Sequence, residues 1–148
     1  MKRIGFVLSL IVTIAMTTSV APAQTKEDLA GIERAMLDYI EGVYEMKPEL
    51  IERSVHPELK KFGFSRHSPE EDWRVHPMTF DQLVNLAATY YKEAGGAPAD
   101  APKKIEILDA LNKTASAKLT ADWGVDYFHL VKYDDKWMIV QIVWQSLD

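Results

Sequence analysis

From Thr25 to Met46, apolar residues recur at intervals of three and four, through Leu29, Ile32, Met36, Tyr39, Ile40 and Val43. That spacing lays them on one stripe of a long amphipathic helix. Thr25 and Asp28 make a capping-box-like start for it. Lys47-Pro48 breaks the pattern, because a proline pushes its predecessor out of helical geometry. Pro48 then suits the first position of a second, short helix through Val55, which His56-Pro57 ends. Residues 57–78 keep neither period: Phe62-Gly63-Phe64 reads as a short strand, and Ser68 to Asp72 as a solvated turn. A strong helix start follows. Thr79 is the N-cap with Gln82 three residues on, and Met78 staples against Leu83. This third helix is expected to run to about Ala94 and to stop at Gly95-Gly96, with Ala97 to Pro102 as a loop.

After residue 103 the period changes to two. Turn signals at Asn112-Lys113, Gly124-Val125 and Asp134-Asp135 separate Ile105–Leu111, Thr114–Trp123, Asp126–Tyr133 and Lys136–Leu147. This is the rhythm of a β-meander. Three helices followed by long antiparallel strands indicate an α+β domain, with helices on one face of a curved sheet. Two-residue turns at Gly124-Val125 and Asp134-Asp135 set Ala121 opposite Phe128, Leu130 opposite Ile139 and Phe128 opposite Gln141. One face then holds Ala117, Leu119, Ala121, Trp123, Phe128, Leu130, Trp137, Ile139, Gln141 and Val143, and should receive the helices. The other holds Tyr127, His129, Val131, Met138, Val140 and Ile142. An exposed apolar patch of that kind marks a contact surface, so a symmetric dimer through the outer sheet face is expected.

The chain has 148 residues, enough for one domain. Its start is written for export. Lys2 and Arg3 precede an apolar run from Ile4 to Met16, and Ala21-Pro22-Ala23 supplies the small residues a signal peptidase reads. Residues 1–23 are therefore expected to be a signal peptide, and residues 24–148 a periplasmic or secreted domain. The formal charge of −5 includes those two basic residues. An acidic domain disfavours nucleic acid and anionic lipid surfaces as partners. With no cysteine, thiolate chemistry and disulfides are excluded, and the core alone must hold the fold.

The stretch from Asp126 to Val140 resembles the last hairpin of the putative lumazine-binding family, part of the nuclear transport factor 2-like superfamily. His56-Pro57-Glu58-Leu59 after two helices, and Trp144, fit the same family. The resemblance spans nearly all of residues 27–146. It implies a cone-shaped fold: three helices closing over a strongly curved sheet, with a pocket at the open end. Asp135 stands where the family's hairpin commonly has glycine. Some relatives isomerise or dehydrate small molecules with a buried acid, and many have no known reaction, so the fold alone names no function.

Within that cone Asp126 opens a strand beside Trp123, where a carboxyl group could shuttle protons; the alternative is a turn-flanking aspartate bonding nearby amides. His56 falls near the expected rim, as a base or ligand partner, or simply as a histidine satisfying helix-end carbonyls. Gln141, polar among apolar neighbours, would need a partner on the inner face. Tyr39, Trp123, Phe128 and Trp137 line the core or the pocket. His56, His67 and His76 match no metal-ligand spacing, no glycine-rich phosphate loop occurs, and neither metal nor cofactor is expected. The doublets Lys60-Lys61 and Lys103-Lys104 read as solvated charge. Non-catalytic binding of a small, partly apolar molecule leads. An isomerase or dehydratase using Asp126 or His56, with Tyr39 as donor, is the alternative. A dimeric interaction module with a filled pocket is the third reading. A cavity of about 300 Å³ or more would mark a ligand site.

Overall fold

The computed structural model describes residues 25–147. The expected signal peptide, its cleavage after Ala23 and Gln24 lie outside them. The chain runs α1 (Lys26–Tyr44), α2 (Pro48–Ser54), β1 (Val55–Ser65), β2 (Arg74–Met78), α3 (Phe80–Thr89), β3 (Lys104–Ala110), β4 (Thr114–Ala121), β5 (Gly124–Tyr133) and β6 (Lys136–Gln145). The strands form one six-stranded sheet in the order β2-β1-β6-β5-β4-β3. All pairs are antiparallel except β1 with β6, which is parallel. The sheet is curved and does not close, and the three helices cover one face of it. No helix among the described residues is long and apolar enough to cross a membrane.

α1 starts where its sequence says. The Thr25 hydroxyl oxygen accepts from the Asp28 amide at 3.0 Å, meeting one of the donors a helix start leaves open. The Asp28 carboxylate also accepts from Trp137 Nε1 at 3.1 Å and pairs with Lys132 at 2.9 Å, which ties α1 to β6 and β5. α1 ends two residues early, and Met46 turns left-handed (φ 54°) before Pro48 opens α2. α3 carries the full capping box of Thr79 and Gln82. Its regular part stops at Thr89, and tight turns continue to Gly96.

Lys132, then Trp137 and Thr25, hold the Asp28 carboxyl at about 2, against 3.8 for an ordinary aspartate. A depressed folded-state value means the native state gains only while the group is ionised. That contribution is complete above about pH 4 and disappears as pH falls toward 2. Asp28→Asn is therefore expected to flatten part of the melting-temperature profile in that acidic window, read by circular dichroism. A profile as steep as the wild type's would refute the assignment.

The helical face of the sheet is the expected one: Ala117, Leu119, Ala121, Phe128, Leu130, Trp137 and Ile139 are buried. Pairing across the strands differs in two places. Ala121 pairs with Gly124 and Ala117 with Phe128, so the tight turn is Asp122-Trp123 and not Gly124-Val125. Gly124 is needed instead for its backbone, at φ 138°, because a Cβ there would overlap the Gln145 carbonyl oxygen. The displacement is even-numbered, so the faces survive it.

In the last hairpin Leu130 pairs with Ile139 as expected, across a two-residue turn in which Asp134 takes the left-handed conformation (φ 50°). Between His129 and Leu130 the register shifts, and Val140 becomes the extra residue of a β-bulge. Beyond it every side chain changes face. Gln141 turns outward and bonds His129 Nδ1 at 2.9 Å, while Ile142 is fully buried opposite Phe128. The expected inner placement of Gln141 and Val143, and the outer placement of Ile142, are thus corrected. The bulge buries an isoleucine and spares the core an amide needing partners.

Candidate functional site

The residues between α2 and α3, unplaced from the sequence, form the β1–β2 hairpin. On β1 the alternation buries Leu59, Lys61 and Gly63. Lys61 therefore points beneath the helices, and its reading as solvated charge is overturned: only 7% of it is exposed. It meets two residues from distant elements. Lys61 Nζ donates to the Tyr39 hydroxyl at 2.9 Å, and that hydroxyl donates to Asp126 Oδ2 at 2.9 Å. The ammonium and the carboxyl group lie 3.9 Å apart. The other carboxyl oxygen of Asp126 accepts from Trp123 Nε1 at 3.0 Å. Trp123 reaches it because the residue sits in the β4–β5 turn, with its indole folded back over the strand. Tyr39 stands on the α1 stripe, edge-on to Phe128 at 5.0 Å.

Beside this cluster is an apolar cavity of about 70 Å³. Tyr39 and Lys61 are its polar lining. Val43, Leu86 and Met78 give aliphatic wall, Trp123 and Trp144 give aromatic wall, and the half-exposed Tyr90 stands at the mouth. The cavity falls well short of the roughly 300 Å³ that would mark a ligand site. It holds roughly the liquid volume of two waters. Three aromatic rings, Tyr39, Tyr44 and Tyr90, crowd edge-on around Trp123 at 5.6 to 6.4 Å and narrow the cone.

An ammonium has three N–H donors. Among the described residues, Tyr39 is the one partner within hydrogen-bond reach of Lys61. The faces of Tyr39 and Trp144 lie 5.5 and 5.7 Å from Nζ. Burial pushes the Lys61 ammonium below the ordinary lysine range, and the charge of Asp126 offsets this only in part. Burial first, then the Asp126 charge and hydrogen bond, raises the Tyr39 phenol well above 10, so it stays a neutral donor and acceptor. The Trp144 indole N–H is buried with no partner among the described residues.

Trp144 lies flat against Gly63, and a Cβ at that position would overlap the indole. Gly63→Ala is expected to cost about 1–3 kcal/mol through overpacking and to move Trp144 off the cavity wall. Urea unfolding and the intensity of tryptophan fluorescence test this together. An unchanged spectrum with unchanged stability would contradict it.

Of the residues expected at the site, Tyr39, Trp123 and Asp126 come together. Asp126 does so from behind: it is completely buried, and Tyr39 stands between it and the cavity. Phe128 supports Tyr39 and does not line the cavity. Gln141 is on the opposite face of the sheet. His56 is not at the rim, because the helix ends one residue earlier and the chain enters β1. There its ring stacks on Tyr133 at 4.7 Å, and its Nδ1 accepts from the Glu58 amide. His76 bonds Ser65 and stacks on Trp144, and His67 contacts Arg74. Among the described residues no three of His, Cys, Asp and Glu converge. Lys61 was missed because the short strand expected at Phe62-Gly63-Phe64 extends back to Val55. The period-two signal of Leu59, Lys61 and Gly63 is short, and a lysine reads against burial.

The family model described as putative lumazine-binding matches residues 27–145. No curated protein is significantly similar to the chain. Three solved structures, each of an NTF2-like protein of unknown function, superpose with a TM-score of 0.67. The Silicibacter pomeroyi protein is 17% identical, and the match covers 84% of this chain and 100% of that one. For Shewanella baltica the values are 18%, 85% and 99%. For Methylobacillus flagellatus they are 20%, 86% and 98%. At these identities the likeness shows the fold.

Proposed function

The chain belongs to the putative lumazine-binding family of the nuclear transport factor 2-like superfamily, and from that membership we propose that it binds a small, partly apolar molecule in the cone. The observation that carries the reading is Lys61: a buried ammonium with hydrogen-bonding capacity left over, at the wall of an apolar cavity. Binding sites combine apolar walls with a few fixed polar groups, and Lys61 with Tyr39 supplies the polar pair. The cavity of about 70 Å³ takes either a molecule of a few heavy atoms or one end of a larger one. Displacement of Tyr90 at the mouth and Met78 in the wall would admit more. The proposed setting is outside the cytoplasm, which rests on the N-terminal segment alone.

Native mass spectrometry of protein purified from its own host tests the reading. A co-purified small molecule, lost in Gly63→Ala, is the expected result. Bare protein, with no mass added on incubation with small polar-headed apolar compounds, would overturn it.

The small cavity favours a second reading, an interaction module whose cone is mostly filled. Tyr127 is exposed on the outer sheet face, and Val131, Met138, Val140 and Val143 are half-buried there. We propose the homodimer through this face. Twice the monomer mass without any small molecule would support the module; monomer in the same spectrum would remove it.

A further inference from the structure

We infer that Lys61 is a carbonyl-reactive amine and that the cavity takes a small uncharged aldehyde or ketone, which Lys61 holds as an imine. The inference rests on the ligand-binding reading above and names the class of ligand. Charge restricts the guest. Asp126 already offsets Lys61 inside the cone, 3.9 Å away with Tyr39 bridging them. An anionic guest would add a second negative charge to a site with apolar walls, and a cationic one would meet the ammonium. An uncharged guest with an acceptor oxygen avoids both penalties. Size restricts it further: about 70 Å³ fits a few heavy atoms.

The hydrogen bonds run in one direction, from Lys61 to Asp126. Lys61 Nζ donates to the Tyr39 oxygen, and the Tyr39 hydroxyl donates to Asp126 Oδ2. If each proton moves one step along that chain, Lys61 becomes a neutral amine, Tyr39 is restored and Asp126 holds the proton. Both charges vanish without solvent. The burial that lowers the Lys61 ammonium below the usual range acts in the same direction. Desolvated lysines are activated nucleophiles for this reason.

The step balances. The Nζ lone pair attacks the carbonyl carbon, a C–N bond forms, and an Nζ proton passes to the oxygen, giving a carbinolamine. Tyr39 relays the proton on Asp126 to the hydroxyl. The C–O bond breaks, water leaves, and a protonated imine remains beside the Asp126 carboxylate. No oxidant or reductant is consumed.

The test uses the full chain with propanal and sodium cyanoborohydride at neutral pH, with propyl groups mapped lysine by lysine by peptide mass spectrometry. A solvent-exposed lysine is neutral in only roughly one molecule in 2,500 at pH 7. Lys61 is expected to be labelled severalfold faster than the other lysines, because burial holds its ammonium below the ordinary lysine range and Tyr39 carries its proton toward Asp126. Tyr39→Phe, with its fold checked by circular dichroism, is expected to bring that rate down to that of the rest. Labelling of wild-type Lys61 at or below the rate of the exposed lysines overturns the inference outright. Quenching of tryptophan fluorescence by propanal without the reductant separates the two claims. Quenching with no fast label leaves the binding reading standing and removes the imine.

Discussion

Asp126→Asn is expected to lower the unfolding free energy by about 3–5 kcal/mol at neutral pH, the cost of stranding a buried charge by removing its partner. The amide could accept from Tyr39 or from Trp123 but not from both, whereas the carboxyl group accepts from both. The deficit has a sign in pH. Without the Asp126 charge, the only cause that holds the Lys61 ammonium up against burial is gone. The folded chain then sheds that proton earlier than the unfolded chain does. Where the unfolded state binds more protons, stability rises with pH, so the variant should recover as pH climbs toward about 10.4, the unperturbed lysine value. Adding Lys61→Met should recover much of the loss at neutral pH, since an apolar replacement of a whole buried pair is often neutral or better. Urea unfolding of the wild type, both single variants and the double variant gives the coupling energy. Additive single-variant effects would show that the two groups do not act as a pair.

Ile142→Ala is expected to cost about 2–5 kcal/mol, the range for cutting back a fully buried aliphatic side chain. Gln141→Ala should stay within about 0.5 kcal/mol, because its amide bonds His129 on the outer face. The comparison tests the bulge at Val140 directly. Without the bulge the two residues would exchange faces, and so would the two costs. Equal losses, or the larger loss at Gln141, would contradict the observed register. The same pair bears on the proposed dimer: if the outer face is buried between two copies, Gln141→Ala should shift the dimer equilibrium while leaving monomer stability nearly untouched.

Much of the site was legible one residue at a time. Tyr39 falls on the apolar stripe of α1, and a helix stripe faces whatever the helix packs on. Asp126 shares the inward row of β5 with Phe128 and Leu130, which follows from the two-residue period of any strand. Lys61 was not legible. Its strand pairs in parallel with β6, far along the chain, and a lysine reads against burial. The cavity's size was not legible either, because it depends on how four aromatic rings from three parts of the chain share one space.

Helix starts, their caps, and the inward row on β4 and β5 were determined by the sequence alone, because each is a matter of neighbours three or four places apart or of simple alternation. Which strands pair, where Gly124 sits relative to its turn, and on which side Gln141 emerges were decided only by the tertiary structure. Those choices minimise a nonlocal energy. Burying Ile142 in place of Gln141, clearing the Gln145 carbonyl at Gly124, and meeting the Lys61 charge with Asp126 each depend on residues that only the folded chain brings together.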